Sequence, residues 1–285
     1  MKILDGKMVS EKIFSEISEE IDNYIKLGYP QPNLVVIMVG DNPASQTYVN
    51  NKQKAAQRAN INSQLIHFEE SITEDELINQ INILNVDKTI DGFFIQLPLP
   101  NHINKDRIIG SIDPKKDVDG FHPLNFGKMA LGQDGFKPAT PYGICKLLKY
   151  YNIETKGKHC VVIGRSNIVG KPISIMLGNE FQIGRCTVTS THIDTPPELL
   201  KQECLTADII IVAVGKPGFL KSDMVKEGAI VIDVGINRLD GKICGDIDEE
   251  VYSKCDWVTP VPGGVGPMTI ASLMYNTLLA YRRKL

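Results

Sequence analysis

Apolar and polar positions repeat along this chain with two different periods, and each change of period marks an element. Leu34-Val35-Val36-Ile37-Met38-Val39 is an unbroken apolar run rich in β-branched residues, the pattern of a strand buried on both faces. Gly40 and Asp41 end it. Asn42 then caps a helix with Pro43 at its first position, where the missing N–H has no intrahelical partner to lose. Upstream, apolar residues at 9, 13, 14, 17, 21 and 24 predict a helix from Val9 to Tyr24, stopped by Gly28 and Pro30. Downstream, Gln64 to Phe68 reads as a second strand, and Thr73-Glu74-Asp75-Glu76 caps a helix to about Leu84. Asp91 to Pro100 gives a third strand that ends in a proline-stiffened loop. Strand alternating with helix predicts a parallel sheet.

A second alternation follows. Lys137-Pro138-Ala139-Thr140-Pro141-Tyr142-Gly143 reads as a boundary before a helix to about Tyr151. Strands are expected at His159 to Ile163, Cys186 to Thr191, Asp208 to Gly215 and Ala229 to Gly235, a Rossmann-like half. Val258 to Thr269 is dense in proline and glycine and precedes an apolar helix from about Ile270 to Tyr281.

Composition narrows the class. The chain has 285 residues, too many for one ordinary core, so two domains are expected. A net charge of −3 gives no electrostatic reason to expect nucleic acid or an anionic membrane as partner. No apolar run approaches the ~18 residues that a membrane-spanning helix needs. The opening Met1-Lys2-Ile3-Leu4-Asp5 turns polar at once, which predicts no signal peptide and a cytoplasmic protein. The 6 cysteines are scattered without C-x-x-C or histidine pairs, so reduced thiols are expected and no metal site.

Candidate chemistry clusters at strand ends. Tyr48 and Lys52 stand four apart on the helix after the first buried strand, with Ser45 one turn earlier, so phenol and ammonium share a face. They read either as a solvated surface pair or as a ligand site at the sheet edge where α/β folds collect ligands. Gln96 ends the third strand at that same edge if the crossovers are right-handed, and either bonds a ligand heteroatom or bridges its own loop. Asp117 and Asp119, flanked by lysines, read as a ligand clamp more readily than as a metal site. Gly164-Arg165-Ser166-Asn167-Ile168-Val169-Gly170 turns from a strand into a helix, a G-x-S-x-x-x-G variant of the dinucleotide fingerprint. The strand after it ends Ser190-Thr191-His192, with Asp194 late for a ribose-binding acid, while Arg165 suits a 2′-phosphate. This favours NADP over NAD. Pro262-Gly263-Gly264-Val265-Gly266 reads as a rigid linker or as backbone built for close approach to a ligand.

Together, Ser45 to Lys52, Gln96 to Pro100, Lys116 to Gly120, Gly164 to Pro172 and Pro260 to Thr269 resemble the bifunctional methylenetetrahydrofolate dehydrogenase/cyclohydrolase family over nearly the whole chain. The resemblance implies an α/β fold with an N-terminal folate-binding catalytic domain over 1–120 and a Rossmann-like NADP-binding domain over 121–285, with a cleft between them. The C-terminal helix, about 270–285, is expected to pack back on the first domain. Implied too are NADP-dependent oxidation of 5,10-methylenetetrahydrofolate, hydrolysis of the methenyl product to 10-formyltetrahydrofolate, and a homodimer. By the same resemblance Lys52 is the base of the hydrolysis, Tyr48 positions the folate, Gln96 tunes Lys52, Asp119 anchors the pterin, and Ser45 supports them. Leu97, Pro98 and Pro262 to Gly266 contact substrate. Gly164, Arg165, Ser166 and Ile236 bind the cofactor. Ile193 stands where the family often has a small polar or basic residue.

Overall fold

The computed structural model describes residues 1–179 and 183–285. In chain order the first elements are β1 (Lys2–Ile3), α1 (Gly6–Lys26), β2 (Asn33–Val39), α2 (Pro43–Arg58), β3 (Asn62–Phe68), α3 (Glu74–Val86) and β4 (Gly92–Ile95). Next come α4 (Lys105–Ser111), α5 (Pro123–Ala130), α6 (Ala139–Tyr150), β5 (His159–Ile163), α7 (Gly170–Gly178), β6 (Thr187–Thr191) and α8 (Pro197–Thr206). The chain ends with β7 (Ile209–Val212), β8 (Ala229–Asp233), β9 (Asn237–Leu239), β10 (Lys242–Cys244), β11 (Cys255–Val258) and α9 (Val265–Arg282).

Contacts divide the chain into two units whose segments interleave. One holds Glu11–Lys128, Asp134–Ala139 and Ile270–Leu285; the other holds Met1–Ser10, Met129–Gln133 and Thr140–Thr269. The interleaving has two physical reasons. β1 pairs with β11, so the N-terminus joins the later unit. Leu273, Met274, Leu278 and Tyr281 of α9 sit in one core cluster with Phe14, Ile17, Val36 and Phe94, so the C-terminus joins the earlier one.

The earlier unit is built on a three-stranded parallel sheet in the order β3-β2-β4. The period of two explains why β2 is apolar throughout. Leu34, Val36 and Met38 enter the cluster lined by α1, α2 and α9. Val35, Ile37 and Val39 enter the opposite one with Leu77, Ile81 and Phe93. Each such buried side chain contributes about 1.5–3 kcal/mol, and a slip of one residue would exchange the two sets. α3 opens with the expected capping box between Thr73 and Glu76.

The later unit carries a parallel six-stranded sheet in the order β1-β11-β8-β7-β5-β6, with a two-stranded hairpin of β9 and β10. Its strands β5, β6, β7 and β8 are those the sequence pattern predicts. α9 begins at Val265 rather than near Ile270, because Pro267 falls in its first turn, where proline is tolerated. No helix among the described residues is long and apolar enough to cross a membrane.

Candidate active site and nucleotide turn

In the earlier unit the site grows from the β2–α2 junction. Asn42 accepts the N–H groups of Ala44 and Ser45 at 3.0 and 3.1 Å, which fixes where α2 begins. From there the turn of the helix sets Ser45, Tyr48 and Lys52 on one side. Ser45 and Lys52 are buried, while Tyr48 is 37% exposed. Burial pushes the Tyr48 phenol above its ordinary value and keeps it a neutral hydrogen-bonding ring.

Lys52 Nζ donates to Gln96 Oε1 at 3.1 Å and lies 4.0 Å from the centre of the Phe94 ring. Gln96 is placed by an extension of the sheet, its N–H donating to Ile37 O at 2.8 Å. Its own amide N–H donates to Leu97 O at 2.7 Å, which leaves Oε1 for the lysine. The Leu97–Pro98 bond is cis. Burial lowers the Lys52 pKa, and the nearby Asp119 carboxylate opposes that. Asp119 is shifted the other way, raised by burial and held down by Lys52. Among the described residues no hydrogen bond within the chain uses the Asp119 carboxylate oxygens; only its backbone carbonyl accepts, from the Ala139 N–H at 3.3 Å.

The loop carrying Asp119 is pinned on every side. Lys116 Nζ donates to Leu84 O and Asp87 O. Asp117 accepts the N–H groups of Phe121 and His122 and the Asn125 amide, and is a loop organiser rather than half of a clamp. Burial nevertheless pushes its carboxyl up to about 7, against those donors. Gly120 takes φ of 74°, and a Cβ there would lie 2.5 Å from the Lys137 backbone. Asn276 of α9 donates to Val118 O at 2.8 Å and Lys137 O at 2.9 Å. Sequence reasoning missed Phe94 and Asn276. Phe94 stands two residues before Gln96 on a strand, so period two places both on one face; Asn276 has no local signal.

In the later unit Gly164 ends β5 with φ of 111°, and a Cβ there would meet Ala213 O at 2.4 Å. Only glycine fits this turn. Ser166 Oγ accepts the Val169 N–H at 3.1 Å at the start of α7. Among the described residues the backbone N–H groups of Arg165, Ser166 and Asn167 have no backbone carbonyl partner, and these residues are exposed. Such a donor set at a helix N-terminus fits a pyrophosphate. Arg165 lies 3.8 Å from Asp194.

Ile236 is 48% exposed, and a Cβ on Gly266 would lie 3.7 Å from its Cδ1, so this expected cofactor residue and the glycine-rich run meet. Two buried carboxylates that sequence reasoning did not assign hold this region. Asp233 accepts the N–H groups of Gly235, Asp246 and Ile247. Asp246 accepts those of Val214, Gly215 and Lys216 and the Asn237 amide. Burial raises Asp233 to about 6. No group of three or more metal-ligating side chains is placed to hold an ion among the described residues.

Comparison with known proteins also finds two parts in the chain. Residues 4–119 match the tetrahydrofolate dehydrogenase/cyclohydrolase catalytic domain, and residues 138–285 match the NAD(P)-binding domain of the same family. A bifunctional protein FolD 1 of Geobacter metallireducens is 58% identical over 99% of this chain and 98% of its own length. The crystal structure of the bifunctional FolD methylenetetrahydrofolate dehydrogenase/cyclohydrolase of Campylobacter jejuni is 52% identical over 100% of both chains, with a TM-score of 0.96. That of Trypanosoma brucei FolD, complexed with NADP cofactor and inhibitor, is 33% identical over 98% of this chain and 96% of its own, with a TM-score of 0.91. The chain belongs to the tetrahydrofolate dehydrogenase/cyclohydrolase family.

Proposed function

We propose that the chain oxidises 5,10-methylenetetrahydrofolate with NADP and hydrolyses the methenyl product to 10-formyltetrahydrofolate. The observation that carries this is the buried Lys52, bonded to Gln96 at 3.1 Å and balanced by Asp119. The two activities named for the Campylobacter jejuni enzyme support both steps, and the NADP in the Trypanosoma brucei structure supports the cofactor.

Asp119 offers two acceptor oxygens to the paired N–H groups of the aminopyrimidine edge of the pterin, a charge-assisted bidentate contact. Tyr48 supplies a ring face for stacking, and Ser45, buried one turn before it, supports that face. Leu97, Pro98 and the run Pro262 to Gly266 belong to the substrate contacts on the family resemblance. Gly164, Arg165 and Ser166 hold the phosphates and Ile236 packs by the nicotinamide half. When bound, NADP accepts the hydride from the one-carbon bridge.

In hydrolysis, water adds to the methenyl carbon and neutral Lys52 takes its proton. The carbon–N5 bond then breaks as the Lys52 ammonium returns that proton to N5 and the carbinol hydroxyl releases its remaining proton to solvent, leaving the formyl group on N10. The unperturbed lysine pKa is about 10.4, so the neutral amine depends on burial and on the cationic substrate to lower it. A cytoplasmic homodimer belongs to the same proposal; the free state of all 6 cysteines among the described residues suits a reducing compartment.

The test is a coupled assay of wild type and Lys52→Met with methylenetetrahydrofolate and either NADP or NAD, with methenyl and formyl products separated after acid quenching. Wild type should form formyl product with NADP, and the variant should stop at methenyl. Absence of folate-dependent reduction in wild type with either nucleotide overturns the reading.

A further inference from the structure

The end of β6 and the turn after β5 lie side by side in the later unit. Thr191 is in register with Ile163, and the Gly164 N–H donates to Thr191 O at 3.0 Å. The residues that follow each strand, Arg165 on one side and His192 to Asp194 on the other, therefore flank the same point. In sheets of this topology that point reads the 2′ position of the adenosine ribose. A carboxylate there accepts a hydrogen bond from a 2′-hydroxyl, and a guanidinium meets a 2′-phosphate.

This chain has both groups, set against each other. Arg165 Nη2 lies 3.8 Å from Asp194 Oδ2, and His192 Nδ1 lies 3.3 Å from the same oxygen. Ile193 between them is 97% exposed and offers no side-chain donor. A 2′-phosphate arriving beside Arg165 meets the Asp194 charge and competes with it for the guanidinium. A 2′-hydroxyl meets a ready acceptor.

We propose that Asp194 is a specificity-determining residue that weakens the preference for the 2′-phosphate and keeps the nucleotide site open to NAD. The inference rests on the reading of Arg165 as part of the nucleotide site. Both side chains are more than half exposed, so the effect is that of a surface charge, about threefold to fivefold in affinity, and fades with added salt.

The experiment is calorimetric titration of the full chain with adenosine 2′,5′-bisphosphate and adenosine 5′-monophosphate, which differ only in the 2′-phosphate. Asp194→Asn should raise the ratio of the two affinities about threefold to fivefold at low salt, and less at high salt. Arg165→Gln should lower it, and Asp194→Asn should raise the ratio less in the Arg165→Gln background than in wild type. An unchanged ratio in Asp194→Asn beside a lowered one in Arg165→Gln overturns the role of Asp194 alone. An unchanged ratio in Arg165→Gln overturns the placement of Arg165 at the nucleotide, and this inference with it.

Discussion

Gln96→Glu isolates the electrostatics of Lys52 with almost no change of shape. The substitution turns an acceptor 3.1 Å from Lys52 Nζ into a full negative charge. Unit charges about 3 Å apart at an effective dielectric of about 20 attract by about 5 kcal/mol. Gln96 is only partly buried, and the new carboxylate gives back about half of that in desolvation and screening, which leaves about 2 to 3 kcal/mol in favour of the ammonium. At fixed pH the neutral amine then becomes roughly 30- to 150-fold scarcer. Hydrolysis of methenyltetrahydrofolate, followed across pH, should fall by that factor and recover as pH rises, so the rising limb of the profile moves to higher pH. Gln96→Ala removes the amide without adding charge and should lower the rate without moving the limb upward. NADP reduction in the same preparations needs no neutral amine and should fall much less in Gln96→Glu. A Gln96→Glu enzyme that hydrolyses within threefold of wild type on an unmoved profile refutes the assignment of Lys52 as base.

Three other outcomes test the frame around the site. Gly164→Ala forces a Cβ against Ala213 O at 2.4 Å in a left-handed turn, and should cost about 2 to 4 kcal/mol in urea unfolding and abolish nucleotide binding. Asn276→Leu removes the donor to Val118 O, which is buried, and to Lys137 O, which is partly buried, at a cost of about 2 to 4 kcal/mol, and should raise the folate KM more than it lowers kcat, through the displaced Asp119. Asp117 keeps its proton up to about 7 in the fold but loses it near 3.9 when unfolded, so this group's contribution is complete below about pH 4 and falls as pH rises to about 7. The stability of wild type relative to Asp117→Asn, by urea titration, should therefore be lower at about pH 8 than at about pH 5.

Elements that bury a periodic face were legible from the residues alone. β2, α2, α3 and β5 follow from local chemistry: an apolar run, a cap, a proline at the first turn, a glycine at the stop. Elements defined by a distant partner were not. β1 is two residues long and exists because Lys2 and Ile3 pair with Trp257 and Val258. β11 interrupts its apolar residues with Asp256, and its place in the sheet comes from β8. The place of Met1–Ser10 in the later unit has the same origin, since strand pairing, not chain order, assigns it.

The site divides along the same line. Tyr48 with Lys52 share a helix face, and Gln96 sits at a strand end; a few residues of local sequence suffice to place each. What makes these groups reactive is held from far away. Asp119 faces Lys52 because its loop is fastened by Asn276, 158 positions from Val118, and by the Lys137 backbone that closes on Gly120. The lowered pKa of Lys52 is therefore a property of the assembled core: a helix supplies the amine, a strand supplies the amide and the Phe94 ring, and the C-terminal helix holds the carboxylate loop. A change in α9 that spares every group touching substrate should still move the pH profile of hydrolysis, because Asp119 is the charge that opposes the effect of burial on Lys52.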